Sequence, residues 1–158
     1  MARFLAPKDP DPGLPVFFNV DADVGAPPAR NLREDVLLVQ FLFQEGARTP
    51  SSKADQKVVN AARAVQVTGI IDPATVTAIR VLQEVGKARR PGTIVDGRVS
   101  PARGDYAYGP QAFWTIVVLN NAMQNQHLDI WPRIDRIPGC PPELRAMVIR
   151  TVGGTGRT

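Results

Sequence analysis

The sequence predicts a mainly α-helical fold, a small helical bundle with extended arms at both ends. Three observations carry that expectation. Apolar residues recur at helical spacing in several segments between Asn31 and Asn125. Gly and Pro punctuate those segments at helix-length intervals. Six of the fifteen prolines crowd into the first thirty residues, where they remove backbone donors and favour extended chain. With 158 residues, 44% of them hydrophobic and 22% charged, the chain has the make-up of one ordinary domain and enough length to bury a core without a disulfide or metal.

The division that follows is a Pro-rich extended arm over 1–30, a helical domain over 31–126, and a C-terminal arm with a short helix over 127–158. Within the first arm, Val16-Phe17-Phe18-Asn19-Val20 reads as a short strand. Its phenylalanines either fold back over the chain's own core or await a partner surface. From Asn31, a plausible N-cap, Leu32, Val36, Val39 and Phe43 form one stripe of a first helix, widened by Leu37, Phe41 and Leu42 and ended by Gly46. A second helix is expected to begin near Ser52, burying Val58, Ala61, Ala62 and Val65, and to stop by Gly69. The third starts with Asp72 as N-cap and Pro73 in the first helical position, then carries Val76, Ile79 and Leu82 as far as Gly86. Ile94 to Pro101 reads as a short strand, a Gly-containing turn and a Ser-Pro helix start that Gly104 cuts short. A fourth helix is expected from Gln111 to about Asn125, with Phe113, Ile116, Val117 and Asn120 on one face. Trp131, before Pro132, reads as an anchor for the C-terminal arm, and Pro142 opens a last helix that uses Leu144, Met147 and Val148.

Composition excludes several chemistries. Cys140 is the sole cysteine, so no internal disulfide or multi-thiolate zinc site can form, and His127 is the sole histidine, so His-His metal motifs are ruled out. No carboxylate pair stands out among the fifteen acids, and a non-enzyme is expected, with no catalytic residues, metal or cofactor. His127 reads as the end of the fourth helix, where positive charge is favoured. The net charge of +4 comes from interspersed residues, and the densest basic run, Lys87-Ala88-Arg89-Arg90, meets Pro91-Gly92 and reads as a solvated loop. Nucleic acid is therefore not the expected partner, whereas an anionic bacterial wall polymer suits a mildly basic surface. Arg103-Gly104-Asp105 matches the integrin tripeptide, a coincidence that three common residues readily produce. Neither a signal-peptide hydrophobic region nor a bilayer-length apolar run is visible, so membrane insertion is not expected. The chain is expected to be made in the cytoplasm, and a virion or secretion-type particle would be its route outward.

Two segments echo one another. Val67-Thr68-Gly69-Ile70-Ile71-Asp72-Pro73-Ala74 and Val95-Asp96-Gly97-Arg98-Val99-Ser100-Pro101-Ala102 share an apolar residue, a polar residue, Gly, a two-residue spacer, a small capping residue, Pro and Ala. Each reads as a Gly-permitted reversal that delivers the chain to a capped helix. Together with Asp35-Val36, Val39-Gln40 and Ala78-Ile79-Arg80-Val81-Leu82-Gln83, the pattern from Asn31 to about Asn121 resembles the peptidoglycan-binding-domain-like family. Thr68 stands where that family's first loop carries Asp, and Asp72 and Ser100 replace the second glycines of its loops.

The resemblance implies a small three-helix peptidoglycan-binding-like orthogonal bundle acting as a non-catalytic cell-wall-binding module. Ligand contacts would then lie near the second loop, at Asp96, Arg98, Tyr106 and Tyr108. Gly69, Asp72, Pro73, Gly97, Ser100 and Pro101 would shape the loops and caps. The alternative is a structural subunit of a phage tail, virion or contractile injection machine, keeping the same fold for protein-protein contacts. On that reading the two arms, with Phe17, Phe18 and Trp131, would grip other subunits.

Overall fold

The computed structural model describes residues 3–5, 17–102 and 114–152, and among them the fold is mainly helical. The first helix, α1 (Arg33–Gly46), is central: ten of its fourteen residues are buried, so it is enclosed on every side rather than along one stripe. Its start differs from the expected one. Leu32 occupies the N-cap without a side-chain cap bond, while Asn31 takes a φ of 52° and uses its amide to hold the preceding loop, accepting from Gly25 N and donating to the Gly25 and Ala29 carbonyls. Asn tolerates the left-handed region better than other side chains, which is why it serves the loop and not the helix.

The second helix, α2 (Gln56–Arg63), begins later than Ser52 because Asp55 is the cap, accepting from Lys57 N at 2.9 Å. Val59 and Ala62 are buried on it, and Val65 is buried just past its end. In α3 (Pro73–Arg89) the cap is Asp72, which accepts from Thr75 N at 2.8 Å, and Pro73 follows in the first turn. This helix does not stop at Gly86. It continues through Lys87 and Arg89, whose charges favour a helix C-terminus, so the basic run forms a solvated last turn and not a loop.

The expected N-terminal arm contributes Phe18, Val20, Ala22, Val24 and Ala26 to the buried core. Strand β1 (Arg3–Leu5) pairs antiparallel with β2 (Phe17–Asn19), and β3 (Val24–Gly25) with β4 (Arg98–Val99). Phe18, Val20 and Val24 are fully buried. Two polar side chains fix this segment in place. Asn120, on α4 (Thr115–Gln126), accepts from Phe18 N at 2.7 Å and donates to Phe18 O at 2.9 Å. Asp35, buried within α1, accepts from Asp21 N and Ala22 N, and burial pushes its carboxyl above the usual carboxylate range while these bonds pull the other way.

Expected residues 111–113 of the fourth helix lie outside the described residues, and α4 is capped by Trp114. The C-terminal segment likewise joins the core. A short 3-10 turn at Ile134–Arg136 leads to α5 (Pro142–Val152), which buries Leu144, Met147 and Val148 against the same apolar cluster as Phe18 and α1. Phe18 and Trp131 meet edge to face, with ring centroids 5.6 Å apart. The boundaries at 30 and 126 therefore do not divide the core, since residues from all three segments belong to one cluster. Among the described residues, no helix is long and apolar enough to cross a membrane.

Candidate functional site: two glycine loops on one plan

Gln40 of α1 and Gln83 of α3 are buried amides placed in otherwise apolar surroundings, and each organises one of the echoed loops. Gln40 Oε1 accepts from Thr68 N and Gly69 N, both at 2.9 Å, while its Nε2 donates to Ile70 O at 3.0 Å and Thr75 Oγ1 at 3.2 Å. Gln83 Oε1 accepts from Asp96 N at 3.1 Å and Gly97 N at 2.9 Å, while its Nε2 donates to Arg98 O at 2.8 Å and Thr115 Oγ1 at 3.2 Å. A primary amide suits the task because it offers one doubly accepting oxygen and two donors from a single rigid plane. A carboxylate would leave the acceptors of Nε2 without a donor, and an aliphatic side chain of similar size would leave all of these groups without partners.

The loops also turn in the same way. Gly69 has a φ of 77° and Gly97 a φ of 73°, a region that side chains with a Cβ rarely enter. Thr68 Oγ1 accepts from Ile70 N at 3.2 Å, and Asp96 Oδ1 accepts from Arg98 N at 2.9 Å, so the residue before each glycine closes the turn. An arginine then covers each glycine. A Cβ built on Gly69 would lie 3.0 Å from Arg33 Cζ, and one on Gly97 would lie 3.1 Å from Arg80 Cζ. Arg33 and Gln40 stand two turns apart on one face of α1, and Arg80 and Gln83 one turn apart on one face of α3.

Of the sequence-predicted ligand residues, Asp96 and Arg98 come together. Arg98 Nη2 lies 3.4 Å from Asp96 Oδ2, and Arg98 Nη1 lies 3.9 Å from Asp23 Oδ2, which places Arg98 between two carboxylates. Tyr106 and Tyr108, with Arg103-Gly104-Asp105, lie outside the described residues. Gly69, Asp72, Pro73 and Gly97 stand in the hinge and cap positions just described. The reading of Ser100-Pro101 as a helix start needs correction: Pro101 and Ala102 are not helical. Asn19 of β2 meets the chain there: its amide accepts from Ala102 N and donates to Ala102 O, both at 3.0 Å.

Sequence reasoning gave Gln40, Gln83, Thr75, Thr115, Arg33 and Arg80 no individual role. Their signal was present as the apolar-Gln pairs Val39-Gln40 and Leu82-Gln83, a polar residue within each helix's apolar pattern.

Two further features complete the surroundings. An apolar groove of about 370 Å³ is lined by Phe43, Val58 and Val59 on one side and Val118 and Ala122 of α4 on the other, with Gln126, also in its lining, donating to Gly46 O at 2.8 Å. His127 caps α4, as its position suggested, and its Nε2 lies 3.3 Å from Oε1 of the buried Glu45. Burial pushes the Cys140 thiol up to about 11, which leaves it protonated and a poor nucleophile at neutral pH. Among the described residues, no group of three or more His, Cys, Asp or Glu is placed to hold a metal ion. The chain matches no family model, no curated protein and no solved structure.

Proposed function

We propose that the chain is a non-catalytic peptidoglycan-binding module, with α1, α3 and α4, the helices that flank the two loops, as a three-helix orthogonal bundle of the peptidoglycan-binding-domain-like kind. One observation carries the reading: two glycine-hinged loops of similar sequence are each braced by a buried glutamine and covered by an arginine. That repeated plan is more elaborate than a turn needs, and it fixes two loop backbones as rigid surfaces on which a sugar-peptide ligand would lose little flexibility of the protein. Ile70 in the first loop and Ile94 just before the second are exposed, and apolar groups of this kind suit the faces of glycan rings.

The competing reading is a structural subunit of a phage tail, virion or injection machine. It drew on Phe17, Phe18 and Trp131 as apolar groups in want of a partner. Phe18 is fully buried and packs on Trp131, so two of those three residues find their contacts inside the chain.

Sedimentation with purified insoluble peptidoglycan stripped of anionic polymers tests the proposal. The protein should be retained well above an unrelated protein of the same net charge. Retention no better than that control removes the reading.

A further inference from the structure

The two loop arginines differ in one respect. Arg33, above Gly69, holds a carboxylate: its Nε donates to both Glu143 oxygens at 3.1 Å and its Nη2 to Glu143 Oε1 at 2.8 Å, while Nη1 donates to Thr68 O at 3.1 Å. The pairing raises the arginine and lowers the Glu143 carboxyl from their ordinary values, chiefly through the side-chain hydrogen bond. Arg80, above Gly97, is exposed and has no hydrogen-bond or ion-pair partner among the described residues. The carboxylates beside its loop, Asp96 and Asp23, face Arg98 instead.

The geometry points to Arg80 as a receptor for a ligand carboxylate, docked above Gly97 as Glu143 is docked above Gly69. The absence of a Cβ at Gly97 lets the guanidinium lie flat against the loop, 2.9 Å from Nε to the position a Cβ would take. A guanidinium held in this way loses less freedom when a carboxylate binds. Asp96 and Asp23 oppose an incoming anion, but Arg98 stands between them and offsets one of the two charges, so Arg80 and Arg98 together balance both. The identity of the carboxylate rests on the wall-binding reading: it is that of a peptidoglycan stem peptide.

The test uses the full chain with two soluble disaccharide-peptide fragments of peptidoglycan, one with free carboxylates and one with them amidated. The free form should shift the Arg80 Nε resonance, and amidation of the fragment or Arg80→Gln should each weaken binding about tenfold, the loss expected for one charge-assisted pair. Arg80→Lys should recover only part of the affinity, because an ammonium lacks the fork, and the thermal midpoint should stay unchanged in both variants. Equal affinity for the amidated fragment, or undiminished affinity of Arg80→Gln, overturns the carboxylate site while leaving wall binding intact. If neither fragment binds, the wall reading fails, and N-acetyl-Ala-Glu-Ala amide and its Gln counterpart decide the site. A shift of Arg80 Nε with the Glu peptide alone sustains a carboxylate receptor for an acidic protein partner, and no shift with either overturns it.

Discussion

Gln83→Ala is the most direct challenge to the idea that one amide holds the second loop. The substitution removes the acceptor of Asp96 N and Gly97 N and the donor to Arg98 O and Thr115 Oγ1. Gly97 N is buried, so water cannot fully replace the lost oxygen. A buried polar group left without a partner costs about 1–3 kcal/mol, and two such groups together with a small cavity bring the expected loss to about 3–5 kcal/mol. Against a total stability of about 5–15 kcal/mol the protein should still fold, with a lowered urea midpoint and an unchanged m-value. Amide exchange gives the local readout: protection of Gly97 and Asp96 should fall further than the global loss explains, while Gly69 should follow the global loss alone. A penalty below about 0.5 kcal/mol, the range of an ordinary surface change, would refute the bracing role.

Three other outcomes are expected. Gly97→Ala should cost at least about 1–2 kcal/mol from its left-handed backbone, with more from the approach to Arg80, whereas Gly46→Ala, with open space at its Cβ position, should be neutral or stabilising; paired urea titrations check the contrast. Phe18→Ala should lose about 3–5 kcal/mol and alter Trp131 fluorescence, while a mere arm would lose almost nothing. Because Asp35 is raised by burial in the folded state, that state binds its proton more tightly than the unfolded chain, and stability should fall as pH rises from about 3.8 through the folded value. Thermal midpoints across that window should show the fall, and Asp35→Asn should flatten it at the cost of one backbone acceptor.

Legibility in the sequence followed locality. Asp72-Pro73 shows its cap because the partner, Thr75 N, lies three residues away. Leu144, Met147 and Val148 show their face because burial along one helix follows its own period. The choice left open for the first arm, its own core or a partner, could not be made from sequence because what fixes it is distant: Asn120 reaches Phe18 across 102 residues, and Asn19 reaches Ala102 across 83. Nothing near Phe18 in the chain signals that partner. The glycine hinges were legible as a repeated string, but the glutamines that brace them lie 29 and 14 residues upstream, on other helices' buried faces.

The two repeats also differ in how the hinge leads to its helix. In the first repeat the bracing amide also reaches a threonine hydroxyl in the first turn of the following helix, Thr75 of α3. In the second repeat the matching hydroxyl is Thr115, the first residue of α4. The plan is therefore kept in full, helix amide to glycine hinge to first-turn threonine, but the second copy carries an inserted stretch between hinge and helix. Asn19 holds Ala102, at the near end of that stretch, through its N and its O. On this argument α4 is the counterpart of α3, and the residues between Ala102 and Thr115 are an addition to the second repeat. Replacing them with a short linker should leave the Gln83 network intact, provided that Thr115 can still reach it.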